Sequence, residues 1–133
     1  MKRQTTLREL AEPFFHPGGD SLDLLFEFQR AHQAELGELD VDPIEGIRRN
    51  VLRTIAELVE LLEEFKWRWH RREESEAFDR QRVLEETADC MFFLNAILIH
   101  AGVESGRELR DSIGAVCVKN ILRLEHGQNR RQT

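Results

Sequence analysis

Along residues 44–65, apolar side chains recur at steps of three and four: Ile44, Ile47, Val51, Ile55, Leu58, Leu62 and Phe65. That is the period of one helix face, and it predicts a helix with a buried stripe. Leu52, Val59 and Leu61 widen the apolar surface, so more than one neighbour is expected. The start is marked by Asp42-Pro43-Ile44-Glu45: a cap residue, proline at the first helical position and an acid three residues past the cap. The end is expected near Trp69 or His70. Similar punctuation predicts three more helices. Asp20 and Ser21 cap one running to about Leu36, with Gly37 as its stop. Another covers about Asp79 to Ala101 and stops at Gly102. Ser105 and Glu108 form a capping box for a last one ending near Glu125, before Gly127. Residues 1–19, with Pro13, Pro17, Gly18 and Gly19, read as an irregular or short helical extension. The charged stretch RREESEAFDRQR reads as a loop or frayed helix end. Short connections imply antiparallel neighbours, so the expected fold is all-α: a four- to five-helix antiparallel bundle.

Length makes residues 1–133 a single domain. The formal charge of −6 argues against nucleic acid as a partner, because phosphate backbones are gripped by excess Lys and Arg. Cys90 and Cys117 sit in apolar helical runs and are expected to be buried, reduced thiols of a cytoplasmic protein. The first residues, MKRQTTLREL, have no apolar core of a signal peptide. The longest nearly apolar run, Cys90 to Ile99, is too short for a bilayer, which takes ~20 residues. A soluble protein without a membrane partner is expected.

Chemistry enters on the third of these long helices. In Ala88 to Ile99, ADCMFFLNAILI, the one charge is Asp89, and Glu86 lies one turn earlier on the same face. That face continues through Phe93, Ala96, Ile97 and His100, so both carboxylates point toward the interior. A buried carboxylate costs several kcal/mol, by order of magnitude, unless a metal, an arginine or an altered pKa compensates. The preceding helix carries Glu57 and Glu60, again three apart but roughly opposite the apolar stripe, where a solvated face is the ordinary explanation. Two such pairs on consecutive antiparallel helices bring four carboxylates together, and four acids repel unless cations sit among them. Oxygen ligands without histidine or cysteine select magnesium, with manganese as a substitute. A di-iron site is excluded, because no histidine follows a glutamate by three residues.

Glu57-Leu-Val-Glu60, Phe65-Lys-Trp67-Arg-Trp69 and Glu86-Thr-Ala-Asp89, in that order, resemble the signature of the all-α NTP pyrophosphohydrolase superfamily, which holds the MazG-type enzymes and the dimeric dUTPases. Lys119-Asn120-Ile-Leu122, followed by Gly127, resembles a later motif of the dUTPase branch. The likeness runs from about Ile44 to Gly127. It implies a MazG-like bundle assembling as a dimer or dimer of dimers. It also implies magnesium held by Glu57, Glu60, Glu86 and Asp89, and hydrolysis of a nucleoside triphosphate to monophosphate and pyrophosphate. The substrate expected is dUTP or another pyrimidine deoxynucleotide. The dimeric dUTPases are longer, with extra helices over the nucleotide, so this chain resembles their catalytic core or a compact relative.

Under that resemblance Glu60 would also orient the attacking water, while Lys66, Arg68, Arg71 and Lys119 would meet the phosphates. Cations at Lys66, Arg68 and Arg71 suit a helix C-terminus equally well. Trp67 is the pocket candidate among the aromatics, and Asn120 joins the base- and sugar-binding group. Gln29 and Gln33 fall on the inward stripe of the first long helix, with Leu22, Leu25, Phe26 and Leu36. An amide matches a pyrimidine edge, or simply sits at the stripe's margin. Asn95 reads the base or satisfies a neighbouring helix. The alternative is a non-catalytic nucleotide-binding or adaptor protein whose acidic pairs are surface charge.

Overall fold

The computed structural model describes residues 5–15, 19–64 and 79–127, leaving aside the side chains of residues 11, 14, 15 and 64. Every regular element among them is helical: α1 (Leu7–Ala11) running into a 3-10 turn (Glu12–Phe15), α2 (Ser21–Glu35), a 3-10 turn (Glu38–Asp40), α3 (Pro43–Glu64), α4 (Arg80–His100) and α5 (Gly106–Glu125). None of these helices is long and apolar enough to cross a membrane.

The helices begin where short polar side chains supply acceptors for unpaired backbone N–H groups. The Asp20 carboxylate accepts from the N–H of Leu22, at 3.0 Å, and of Asp23, at 3.4 Å. Asp42 accepts from Glu45 at 3.2 Å. Asp79 accepts from Gln81 and Arg82 at 3.0 and 3.3 Å. Glu108 reaches back to the N–H groups of Glu104 and Ser105, the acidic half of the capping box. α2 and α4 end at Gly37 and Gly102, whose φ values of 72° and 92° suit a residue without Cβ.

The chain divides into two compact units. One combines Met1–Glu27 with Glu104–Thr133. Within it, Gly106 opens α5 so close to the start of α2 that a Cβ there would lie 2.5 Å from the Leu22 carbonyl oxygen. Arg110 ties the same two segments by pairing with Asp20. The rest of α5 is open: Ile113, Val116, Val118, Ile121, Leu122 and Leu124 are exposed. Cys117 is exposed as well, which corrects the expectation that both thiols are buried; only Cys90 is.

The second unit, Phe28–Val103, holds α3 packed along α4. Gly46, early in α3, meets His100 at the end of α4, and Glu57 near the end of α3 meets Glu86 early in α4, so the pair is antiparallel. The packed face of α3 is not the expected stripe. Ile44, Val51, Ile55, Leu58 and Leu62 are exposed, as are Leu52 and Val59. Gly46 and Asn50 are buried instead, with Ile47, Thr54, Glu57 and Leu61 partly covered. The reason is local satisfaction of polar groups. Asn50 donates to the Gly46 carbonyl at 2.8 Å and Thr54 to the Asn50 carbonyl at 2.7 Å, so this face enters the contact with its hydrogen bonds made. On α2 the expected inward stripe holds for Leu25, Phe26, Gln29 and Gln33, but Leu36 is 62% exposed.

Candidate functional site

Two helices of the second unit bring carboxylates together. Oxygens of Glu57 and Glu60 from α3 and of Glu86 from α4 all lie within 4.8 Å of one another. The three-residue spacing in Glu57-Leu-Val-Glu60 puts both acids on neighbouring positions of one helix face, and antiparallel packing sets that face against the start of α4. Their environments differ: Glu60 is exposed, Glu57 half-buried and Glu86 5% exposed. Arg82, one turn before Glu86, pairs with one Glu86 oxygen at 3.3 Å. The other Glu86 oxygen is buried and, with Glu57 ionised, meets no hydrogen-bond donor among the described residues.

The crowding is visible in the electrostatics. The Glu57 carboxyl is pushed up to about 7, first by a hydrogen bond shared with Glu86, then by its burial, then by the charges of Glu60, Glu86 and Asp89. The thiol of Cys90, on the same stretch of α4, is also raised, by burial first and then by Glu57, Glu86 and Asp89. Asp89 therefore contributes to the field but stands outside the close triad, with an exposed side chain. A buried orphan carboxylate oxygen, a carboxyl held half-protonated near neutrality and an all-oxygen donor set fit a hard divalent cation.

Asp89 also lines a cavity of about 250 Å³ in the same unit. Its walls come from the second half of α2, the 3-10 turn after it, α3 and α4. Phe28 stands edge-on to Phe92, with ring centroids 5.7 Å apart, and stacks on His32 at 6.1 Å. Gln29 and Gln33 are buried at the wall. Gln33 Nε2 lies 3.1 Å from His100 Nε2, while Gln33 Oε1 is buried without a partner. Asn50 and Arg53 supply the α3 side, and Arg53 reaches Glu38 at 3.5 Å.

The expected residues therefore separate into groups. Glu57, Glu60 and Glu86 converge, Asp89 joins them at the edge, and Gln29 and Gln33 line the adjoining cavity. Asn95 is buried but donates to the Met91 carbonyl of its own helix at 2.8 Å, and it does not line this cavity. Lys119 and Asn120 lie exposed on α5, in the other unit, where Lys119 and Arg123 border a shallow depression. Lys66, Trp67, Arg68 and Arg71, with Phe65 and Trp69, lie outside the described residues. Sequence reasoning did not single out Phe28, His32, Asn50 or His100 for the site. One signal was available: Gly46 inside a helix is unfavourable and marks a close approach, here of the His100 ring.

Comparison with protein-family models, with curated proteins and with solved structures gives no match.

Proposed function

We propose that this chain is a magnesium-dependent nucleoside triphosphate pyrophosphohydrolase of the all-α, MazG-like kind, acting on dUTP or another pyrimidine deoxynucleotide. The observation that carries the reading is the unpartnered, buried oxygen of Glu86 inside a three-carboxylate cluster that adjoins a cavity with buried amides. Repulsion among Glu57, Glu60 and Glu86 is wasteful in a fold unless a cation relieves it. The order of Glu57-x-x-Glu60 and Glu86-x-x-Asp89 adds the motif resemblance to that electrostatic argument.

Glu57, Glu60 and Glu86 would hold the ion, with Asp89 at the margin. Bound there, magnesium or manganese supplies charge neutralisation on the phosphates and a lowered pKa for water. Glu60, the exposed member of the triad, would orient a water and accept its proton. The cavity takes the base between aromatic rings and amide groups. Its volume is below the roughly 300 Å³ where ligand pockets usually begin, which suits a single ring. The exposed apolar faces of α3 and α5 support assembly as a homodimer or dimer of dimers.

The test is pyrophosphate release from a panel of ribo- and deoxyribonucleoside triphosphates with magnesium, beside Glu86→Gln. Release from one or a few nucleotides, abolished by the substitution and by chelator, is the expected result. Orthophosphate in place of pyrophosphate would rule the reaction out. Nucleotide-dependent stabilisation without any release would leave the non-catalytic binding protein.

A further inference from the structure

Three side chains on the cavity wall carry a full charge: Glu38 and Asp89, both acidic, and Arg53. Arg53 is only slightly engaged. Its Nη2 meets Glu38 Oε1 at 3.5 Å, the long limit of a hydrogen bond, while the other Glu38 oxygen is buried without a partner. A guanidinium offers five N–H groups in a fork that grips a carboxylate or phosphate through two parallel bonds. The contact with Glu38 is a single, long one. Most of the donors of Arg53 are therefore uncommitted among the described residues.

Helix geometry sets where this cation stands. Arg53 precedes Glu57 by four residues, so it shares that face of α3 about 6 Å along the axis from the carboxylate cluster. Asn50, also in the cavity wall, lies another ~4.5 Å beyond. Antiparallel α4 runs in the opposite order: Glu86 in the cluster, Asp89 at its edge and in the wall, then Phe92 and Phe93. A base among Phe28, His32 and Phe92 and a polyphosphate end at Glu57, Glu60 and Glu86 are thus connected past Arg53 and Asp89. At that level a nucleotide carries its sugar and its first phosphate. Glu38 and Asp89 repel a phosphate there, and Arg53 attracts it. Arg82, beside the cluster, is instead committed to Glu86 at 3.3 Å.

We propose that Arg53 binds the α-phosphate of the nucleotide, and that Glu38 holds the guanidinium in the free protein and yields it when the phosphate arrives. The inference rests on the nucleotide reading above. It assigns the phosphate next to the sugar to α3 itself, one turn from Glu57, and it makes Glu38 a competitor of the ligand for the same fork. The product monophosphate keeps this phosphate, whereas inorganic pyrophosphate corresponds to the end held at the carboxylates. The two products therefore report separately on Arg53.

The experiment titrates dUMP, dCMP and dTMP, and separately inorganic pyrophosphate, by calorimetry with magnesium. The proteins are the unaltered chain, Arg53→Gln, Arg53→Lys and Glu38→Gln. Pyrophosphate release from the matching triphosphates is measured in parallel. At least one monophosphate is expected to bind the unaltered protein. Arg53→Gln should weaken that binding about thirtyfold, the worth of a charge-assisted hydrogen bond. Affinity for pyrophosphate should stay within about twofold, as for a separate site. Arg53→Lys keeps the charge without the fork and should recover part of the loss. Glu38→Gln releases the guanidinium and removes a repelling charge, so monophosphate binding should tighten about threefold. A pair that only braces the fold predicts no such opposition between its two members. Circular dichroism melts establish that each variant is folded. Should Arg53→Gln misfold, Arg53→Lys and Glu38→Gln must still move affinity in opposite directions. No monophosphate bound by the unaltered protein, unchanged binding in folded Arg53→Gln, an equal loss for pyrophosphate or weaker binding in Glu38→Gln overturns the proposal. Monophosphate binding that depends on Arg53, without pyrophosphate release from any triphosphate, would sink the hydrolase reading and leave this one standing. Release with monophosphate affinity indifferent to Arg53 would do the reverse.

Discussion

Replacing Glu86 by glutamine should stabilise the metal-free protein at pH 8 and abolish its response to magnesium. The magnitude follows from Glu57. Its carboxyl moves from 4.5 to about 7, chiefly through Glu86. At ~1.4 kcal/mol per unit the full shift corresponds to about 3 kcal/mol. Glu57 is only half-buried, so water and counter-ions screen most of that, leaving about 1 kcal/mol. The sign is set by proton uptake. Between pH 4.5 and 7 the folded state holds a proton on Glu57 that the unfolded state has lost, so stability falls as pH rises through this window. Above about pH 7 both states are ionised and the penalty is complete.

Glu86→Gln removes the first cause of the shift and offers an amide N–H to Glu57. The variant weakens the Arg82 contact, but the arginine is itself half-exposed and an amide oxygen can still accept from it, so the loss is a few tenths of a kcal/mol, by order of magnitude. A net gain in Tm of about 3 °C at pH 8 is expected, shrinking toward zero at pH 5. Magnesium at a hundred times its Kd should stabilise the unaltered protein by about 2.7 kcal/mol, or roughly 8 °C, and leave the variant unmoved. The assay is thermal unfolding followed at 222 nm, at one protein concentration, at pH 5 and pH 8, in chelator or magnesium. Two results would refute the reasoning: a variant less stable than its parent at pH 8 in chelator, or equal magnesium shifts in both proteins.

Four further outcomes are expected. Phe26 is 1% exposed, and Phe26→Ala should cost about 3–5 kcal/mol in denaturant unfolding. Asp79→Ala removes the acceptor for two backbone N–H groups at the start of α4 and should cost about 1 kcal/mol in the same measurement. Under a thiol-reactive dye at pH 8, Cys90 should label far more slowly than it does in urea, because burial and three nearby carboxylates disfavour its thiolate. Leu124→Glu, at a 70% exposed site on α5, should shift the protein toward monomer in light scattering while leaving the monomer's helicity intact.

Much of the helix plan was legible because its signals are local. Asp20, Asp42, Asp79 and Ser105 with Glu108 each act on N–H groups within a turn, and the sequence window that shows them is the window that contains the physics. The carboxylate pairs were legible for the same reason, since spacing alone puts Glu57 beside Glu60. What spacing does not give is depth. Glu86 and Asp89 share a helix face only loosely, and their exposures diverge because residues three apart differ by about 60° in direction. The Gln33–His100 contact joins positions 67 residues apart and leaves no periodic trace. Its sole local mark is Gly46, a helix-disfavoured residue whose reason lies on another helix.

The misread stripe on α3 carries a different lesson. Hydrophobic period identifies which face of a helix is apolar, but it does not name what covers that face. Here α4 covers the face of Gly46, Asn50, Thr54 and Glu57, where polar side chains are satisfied by their own helix and carboxylates meet. The apolar positions from Ile44 to Leu62 remain open, and so do those of α5. These two observations belong together. A site built of facing carboxylates consumes the helix face that an ordinary core would have used, and it contributes repulsion where packing would have contributed stability. The displaced apolar faces are left in water on the single chain, and apolar patches of this kind favour association. Under the assembly proposed above, contact with a second copy would supply the burial that the carboxylate contact withholds from the single chain. It would also explain how a helix with its acids in the intramolecular contact can carry its hydrophobic residues on the outside.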